Sequence, residues 1–195
     1  MTEHGGDIDK AINIYGGKET DWIDLSTGIN PESYPIPKIS SSEWRRLPTL
    51  SEISKLKFII QSTFNSTTKV SVTHGSQIAI GLLPFIIPKK IVSILEPTYG
   101  DYRFSFKNAG FKIRSCNIFQ QLYKSEIAVI VNPNNPNGKS YSSEELIDLS
   151  KKIELLIVDE SFIEASNVKS IISYMNKNTS NIIVIKSFGK FYGLA

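Results

Sequence analysis

A single cysteine, Cys116, in a chain of 195 residues excludes an internal disulfide framework and leaves no thiol cluster to hold zinc. Its setting, "FKIRSCNIF", reads as a strand and its exit, which marks it as a buried filler. No apolar run reaches the ~18–20 residues of a membrane span. The opening "MTEHGGDIDK" has neither the basic nor the apolar region of a secretory signal, so a cytoplasmic protein with no membrane partner is expected. Basic residues never cluster beyond a Lys-Lys or Arg-Arg pair, and the formal net charge is only +3. That argues against nucleic acid and for an ordinary solvated face. Neither G-x-G-x-x-G nor G-x-x-x-x-G-K-[ST] occurs, which counts against a glycine-rich nucleotide-binding module.

The chain does have the material for a core: 41% of its residues are hydrophobic and 10% aromatic. Its length predicts one domain, with room for an appendage. Residues 1–49 read as an N-terminal arm. A short helix from Asp7 to Tyr15, closed by Gly16-Gly17, precedes "DWIDLSTGINPESYPIP", a stretch of the kind that lies on another surface. Ser51 is the N-cap candidate for a helix through "TLSEISKLKFIIQSTF". A repeating pattern follows. "KVSVTHG" reads as a strand and "SQIAIGLLPFII" as a helix; "IVSILEP" is a strand and "TYGDYRFSFKNAG" a helix closed by Gly110. "FKIRSCN" and "EIAVIVNP" are strands, and "SSEELIDLSKKI" is a helix with a Ser142 cap and Glu145 three residues on. "LLIVDES" and "NIIVIKS" complete a set that predicts an α/β domain with a mainly parallel sheet.

Ligands of such sheets gather at the carboxyl ends of the strands. There the chain carries "THGSQ", "EPTYGDY", "NPNNPNG", "VDES" and "KSFGK". Gly75 and Ser76 sit at a helix start, where free N–H groups and a hydroxyl suit a phosphate; taken alone, the stretch reads first as a plain turn glycine with a serine cap. Tyr99, just past a strand, could stack on a planar ring or simply fill space. In "NPNNPNG" the prolines and Gly138 fix a turn that directs Asn135 outward as a donor. Asp159 emerges from a buried apolar strand, where a carboxylate needs a partner, and a positive one is expected. Lys190, in Ser-x-x-Lys, is either an exposed surface lysine or an amine held against an apolar wall as a nucleophile towards an aldehyde.

Taken in order, Gly-Ser, Tyr, Asn-Pro-x-Gly, Asp and Ser-x-x-Lys resemble the large domain of the fold-type I pyridoxal-phosphate enzymes, the aminotransferase class I/II superfamily, over roughly residues 70–195. The resemblance implies pyridoxal 5'-phosphate as cofactor. Lys190 would bond its aldehyde, Asp159 would pair with the protonated ring nitrogen, Asn135 would meet the phenolic oxygen and Tyr99 would stack on the ring. Gly75, Ser76, Gln77 and Ser187 would complete the cofactor site at its phosphate. Homodimers are the family expectation.

The arm narrows the branch. "HGGDIDKA" and "WIDLSTGINPESYP" resemble the threonine-phosphate decarboxylases of cobalamin biosynthesis, relatives of the histidinol-phosphate aminotransferases. His4, Gly5, Gly28 and Asn135 would then line the pocket for a small amino-acid phosphate, O-phospho-L-threonine, decarboxylated to (R)-1-amino-2-propanol O-2-phosphate. Two departures from the aminotransferase pattern agree: Phe162 stands where Asp-x-x-Tyr is usual, and Leu47 where Arg-Tyr-Pro is usual. Histidinol-phosphate-type transamination, or an inactive fragment on the same fold, are the alternatives. Members of the superfamily continue beyond "GLA" into an arginine-bearing segment, a further strand and a small C-terminal domain. Residues 50–195 are therefore expected to form a partial large domain, with the small domain absent, little activity alone and "VSVTHG" short of a sheet neighbour.

Overall fold

The computed structural model describes residues 5–175 and 179–195. Five parallel strands form the sheet: β1 (Val92–Leu95), β2 (Ile113–Cys116), β3 (Ile127–Val131), β4 (Leu155–Asp159) and β5 (Ile182–Ile185), in the order β2-β1-β3-β4-β5. β3, sequence IAVIV, is buried at every position, as a central parallel strand covered on both faces should be. Alternation splits its side chains. Ile127, Val129 and Val131 pack with Ile80 and Leu83 of α3 (Gly75–Ile86) and Tyr102 and Phe106 of α4 (Asp101–Asn108). Ala128 and Ile130 face the other way, onto Leu146 and Leu149 of α5 (Ser143–Ser150). Cys116 is buried in this second cluster, the filler expected of it.

Local signals place most boundaries. The Ser142 hydroxyl accepts the Glu145 N–H at 3.2 Å and the Glu145 carboxylate accepts the Ser142 N–H at 2.8 Å, a reciprocal capping box that starts α5. The cap of α2 (Leu50–Thr63) is Thr49, not Ser51. Glu52 lies three residues after Thr49, so Thr49 alone can exchange hydrogen bonds with it. Residues 69–74, expected as a strand, carry no ladder among the described residues, because the sheet ends at β5 and an extended segment without a paired neighbour is not a strand.

The arm begins with α1 (Ile8–Tyr15), capped by the Asp7 carboxylate on the Lys10 N–H. Beyond it the chain is irregular, with Ile23, Leu25 and Leu47 more than four-fifths exposed. Among the described residues no helix is long and apolar enough to cross a membrane, and no three or more His, Cys, Asp or Glu residues are grouped as a metal ion would need.

Candidate active site

In-register pairing sets Val131, Asp159 and Ile185 side by side at the carboxyl ends of β3, β4 and β5. Asp159 shares a face with Ile157, towards α4, and is only 3% exposed. Its Oδ2 accepts the Tyr102 hydroxyl at 2.8 Å and its Oδ1 accepts the Ser161 N–H at 2.9 Å. Both donors are neutral, and among the described residues no cation pairs with this carboxylate. Neutral donors offset only part of the cost of burying a charge, so the carboxylate favours an incoming positive group. Burial first, then the charge of Asp159, raises the Tyr102 phenol well above its ordinary range, which keeps it a donor. Tyr102→Phe should therefore cost about 1.5–3 kcal/mol in urea unfolding, the worth of a buried hydrogen bond to a charged group. An unchanged midpoint would show that the contact carries no energy.

The neighbouring acid does different work. Glu160 is fully buried, accepts the Ser170 hydroxyl at 2.6 Å and the Ile171 N–H at 2.8 Å, and lies 3.7 Å from Lys186 Nζ. Lys186 also meets Glu164 at 2.5 Å and sits over the Phe64 ring. Burial pushes the Glu160 carboxyl up, against the pull of Ser170 and Lys186. Glu160 and Lys186 fasten the chain after β4 to the chain after β5, while Asp159 is left to the site.

At the start of α3 the N–H groups of the first turn have no acceptor within the helix, and the His74 side chain does not cap them. Gly75 has φ +82°, and its own N–H is taken by the Thr73 carbonyl at 2.9 Å, which leaves the N–H groups that follow it; no other part of the chain lies within 4 Å of where a Gly75 Cβ would stand. Ser76 is half-buried there. Gln77 and Tyr99 are brought together: the Tyr99 hydroxyl lies 3.0 Å from Gln77 Oε1 and 2.8 Å from Asp101 Oδ2, and Gln77 Nε2 donates to the same Oδ2 at 2.5 Å. Burial and the Asp101 hydrogen bond raise the Tyr99 phenol. Asp101, 2% exposed, had no signal in the sequence beyond its place at a helix start.

The asparagines of "NPNNPNG" divide their tasks. Asn132 is tied both ways to the Tyr141 backbone at 2.8 and 3.0 Å. Asn134 accepts from Thr98 at 2.6 Å and donates to the Pro97 carbonyl at 2.8 Å, which joins the exits of β1 and β3. Asn135 is exposed, and its carboxamide makes no hydrogen bond among the described residues, so it is free to meet a ligand.

Lys190 is half-buried, five residues past β5, with Nζ 6.0 Å from the centroid of the Phe162 ring. Ser187 lies between, also half-buried. Gly28 abuts Phe162: a Cβ there would come within 2.6 Å of Phe162 Cε1. Gly5 instead packs against Ser26 of its own arm, and His4 lies outside the described residues.

A family model for aminotransferase class I and II matches residues 50–195. The chain belongs to that family. Within it, the chain is 34% identical over 199 residues to a threonine-phosphate decarboxylase from Sinorhizobium sp, covering 98% of this chain and 60% of that protein. It is 32% identical over 202 residues to a threonine-phosphate decarboxylase from Pseudomonas aeruginosa, covering 100% of this chain and 60% of that protein. Among solved structures it resembles histidinol-phosphate aminotransferase from Sinorhizobium meliloti in complex with pyridoxal-5'-phosphate, with TM-score 0.59 and 18% identity, over 72% of this chain and 44% of that one. The chain thus spans about 60% of the length of the curated relatives it matches. The fold expected from the resemblance, a fold-type I large domain with a mainly parallel sheet, is the fold found.

Proposed function

We propose that this protein is a pyridoxal-phosphate-dependent decarboxylase of O-phospho-L-threonine. The observation that carries the cofactor is Asp159, a buried carboxylate at a strand end with two neutral donors and, among the described residues, no cation, which suits a protonated ring nitrogen. The other residues fit the same group. The open helix start at Gly75, Ser76 and Gln77, with Ser187, suits a phosphate; Asn135 has an uncommitted carboxamide, Tyr99 offers a ring, and Lys190 offers an amine.

When bound, pyridoxal phosphate supplies a sink for the electrons left at the substrate Cα when the carboxylate departs as carbon dioxide. The chain supplies the setting. Asp159 would keep a positive charge paired, Tyr102 fixes the orientation of Asp159, and Lys190 Nζ would deliver to Cα the proton that replaces the carboxylate. The product is (R)-1-amino-2-propanol O-2-phosphate. His4, Gly5, Gly28 and Asn135 are our candidates for contacts to the substrate. The choice of substrate is supported by the two decarboxylase relatives and by Phe162, which puts an apolar ring where a hydroxyl would otherwise stand beside Lys190. We read the full-length protein as a cytoplasmic homodimer. The dimer is supported by the family expectation and by Ile78, Leu82, Phe85 and Ile86, which α3 leaves 46–78% exposed.

The test is to incubate full-length protein with pyridoxal phosphate and O-phospho-L-threonine and to measure carbon dioxide. Release over many turnovers is expected. Stoichiometric pyridoxamine phosphate with a keto product would instead establish transamination.

A further inference from the structure

Asn30 was not among the residues singled out from the sequence, yet the structure uses its backbone N–H and both polar ends of its side chain. Its backbone N–H donates to the Lys190 carbonyl at 2.9 Å, its Nδ2 donates to the Phe191 carbonyl at 2.9 Å, and its Oδ1 accepts the Glu32 N–H at 3.0 Å. Its own carbonyl lies so close to Gly193 that a Cβ there would stand 2.6 Å away, and Gly193 has φ +63°, so both space and conformation call for glycine. Four residues on, the Tyr34 N–H donates to the Tyr192 carbonyl at 2.8 Å, with the two rings edge to face at 6.0 Å. Gly28 abuts Phe162, whose ring faces the Lys190 Nζ. Arm residues 28–34 thus hold the main chain at Lys190 and seat the ring that its amine faces.

This matters because a lysine amine rides on a flexible four-carbon stem. Its position is only as well defined as the backbone it starts from and the wall it lies against. The segment after β5 is irregular and contains Gly189 and Gly193; within it, the Gly193 N–H closes a turn on the Lys190 carbonyl at 3.2 Å. The Asn30 contacts tie that turn to the arm.

We propose that Asn30 is a positioning residue for Lys190: its clasp on the Lys190 and Phe191 carbonyls aims the amine, and the arm thereby sets how fast this lysine captures an aldehyde. The inference rests on the reading of Lys190 as the cofactor-bonding amine. Two variants disturb the clasp from opposite sides. Asn30→Asp keeps the acceptor for Glu32 and removes the donor to Phe191. Gly193→Ala places a methyl group against the Asn30 carbonyl. Neither residue belongs to the two core clusters, so both variants should fold.

Full-length apoprotein is mixed with pyridoxal 5'-phosphate, quenched with borohydride at intervals, and the labelled peptide is quantified by mass spectrometry. Binding of pyridoxine 5'-phosphate, which has no aldehyde, is measured in parallel, as is deuterium uptake of the peptide spanning 186–195. Labelling of Lys190 should slow about tenfold in both variants, with affinity for pyridoxine phosphate held within about twofold. Deuterium uptake of the peptide should rise. Labelling of both variants at the wild-type rate would overturn the proposal, as would a parallel loss of pyridoxine phosphate affinity, since the arm would then shape the whole site and not the lysine. A wild-type label on another residue would instead overturn the Lys190 reading, and the proposal with it.

Discussion

Lys190→Ala is expected to abolish covalent capture of pyridoxal phosphate and to lower decarboxylation by about three orders of magnitude or more, because one side chain both bonds the aldehyde and returns the proton. Lys190→Arg should fare no better: the guanidinium keeps the charge but stays protonated and is no nucleophile. The informative contrast is Lys186, four residues earlier. Its amine lies against Glu164 and Glu160 and over Phe64, so it serves the fold. Lys186→Met should still capture the cofactor at Lys190 and should show its effect in thermal unfolding. Absorbance of the lysine-bound cofactor read alongside the melting curve separates the two lysines. Capture surviving in Lys190→Ala but lost in Lys186→Met would exchange their roles.

Asp159→Asn should cut turnover by about 10²–10³-fold, the usual cost of removing one preorganised electrostatic partner. The apoprotein should not suffer in the same way. The carboxamide fills the same space, still accepts from Tyr102 or Ser161, and no longer holds a buried charge among neutral donors. Urea unfolding of the apoprotein is thus expected to hold steady or shift to higher urea while kcat falls. Loss of activity in step with loss of stability would make Asp159 a structural acid. The opposition of the two effects distinguishes a site residue from a core residue and follows from the absence of a cation beside Asp159 among the described residues.

Much of this was legible before the structure. Parallel strands buried on both faces announce themselves as uninterrupted apolar runs, and "IAVIV" and "LLIVD" did so. The rule that ligands meet strand ends points to Tyr99, Asn135, Asp159 and Lys190 as candidates. Harder to read were features made by contacts between distant segments. A one-dimensional pattern for residues 69–74 says strand, and the shortage of a sheet neighbour expected there is the physical reason that no ladder forms among the described residues. Ser51 reads as the cap, although Thr49-x-x-Glu52 has the same spacing as Ser142-x-x-Glu145, and the reciprocal bond with Glu52 sets the cap at Thr49. Asp101 and Glu160 look like surface acids in sequence; both are buried, and their partners lie elsewhere in the chain. Asn30 contacts Phe191, 161 positions away, and no local signal could have connected them.

The account rests on Lys190 being the amine that meets an aldehyde-bearing ring whose nitrogen Asp159 receives. Full-length protein loaded with pyridoxal phosphate, reduced with borohydride, digested and mapped by mass spectrometry reports this directly. The account predicts one phosphopyridoxyl group per chain, on Lys190. A label on Lys186 or Lys139, or none on protein shown to be folded, would contradict it.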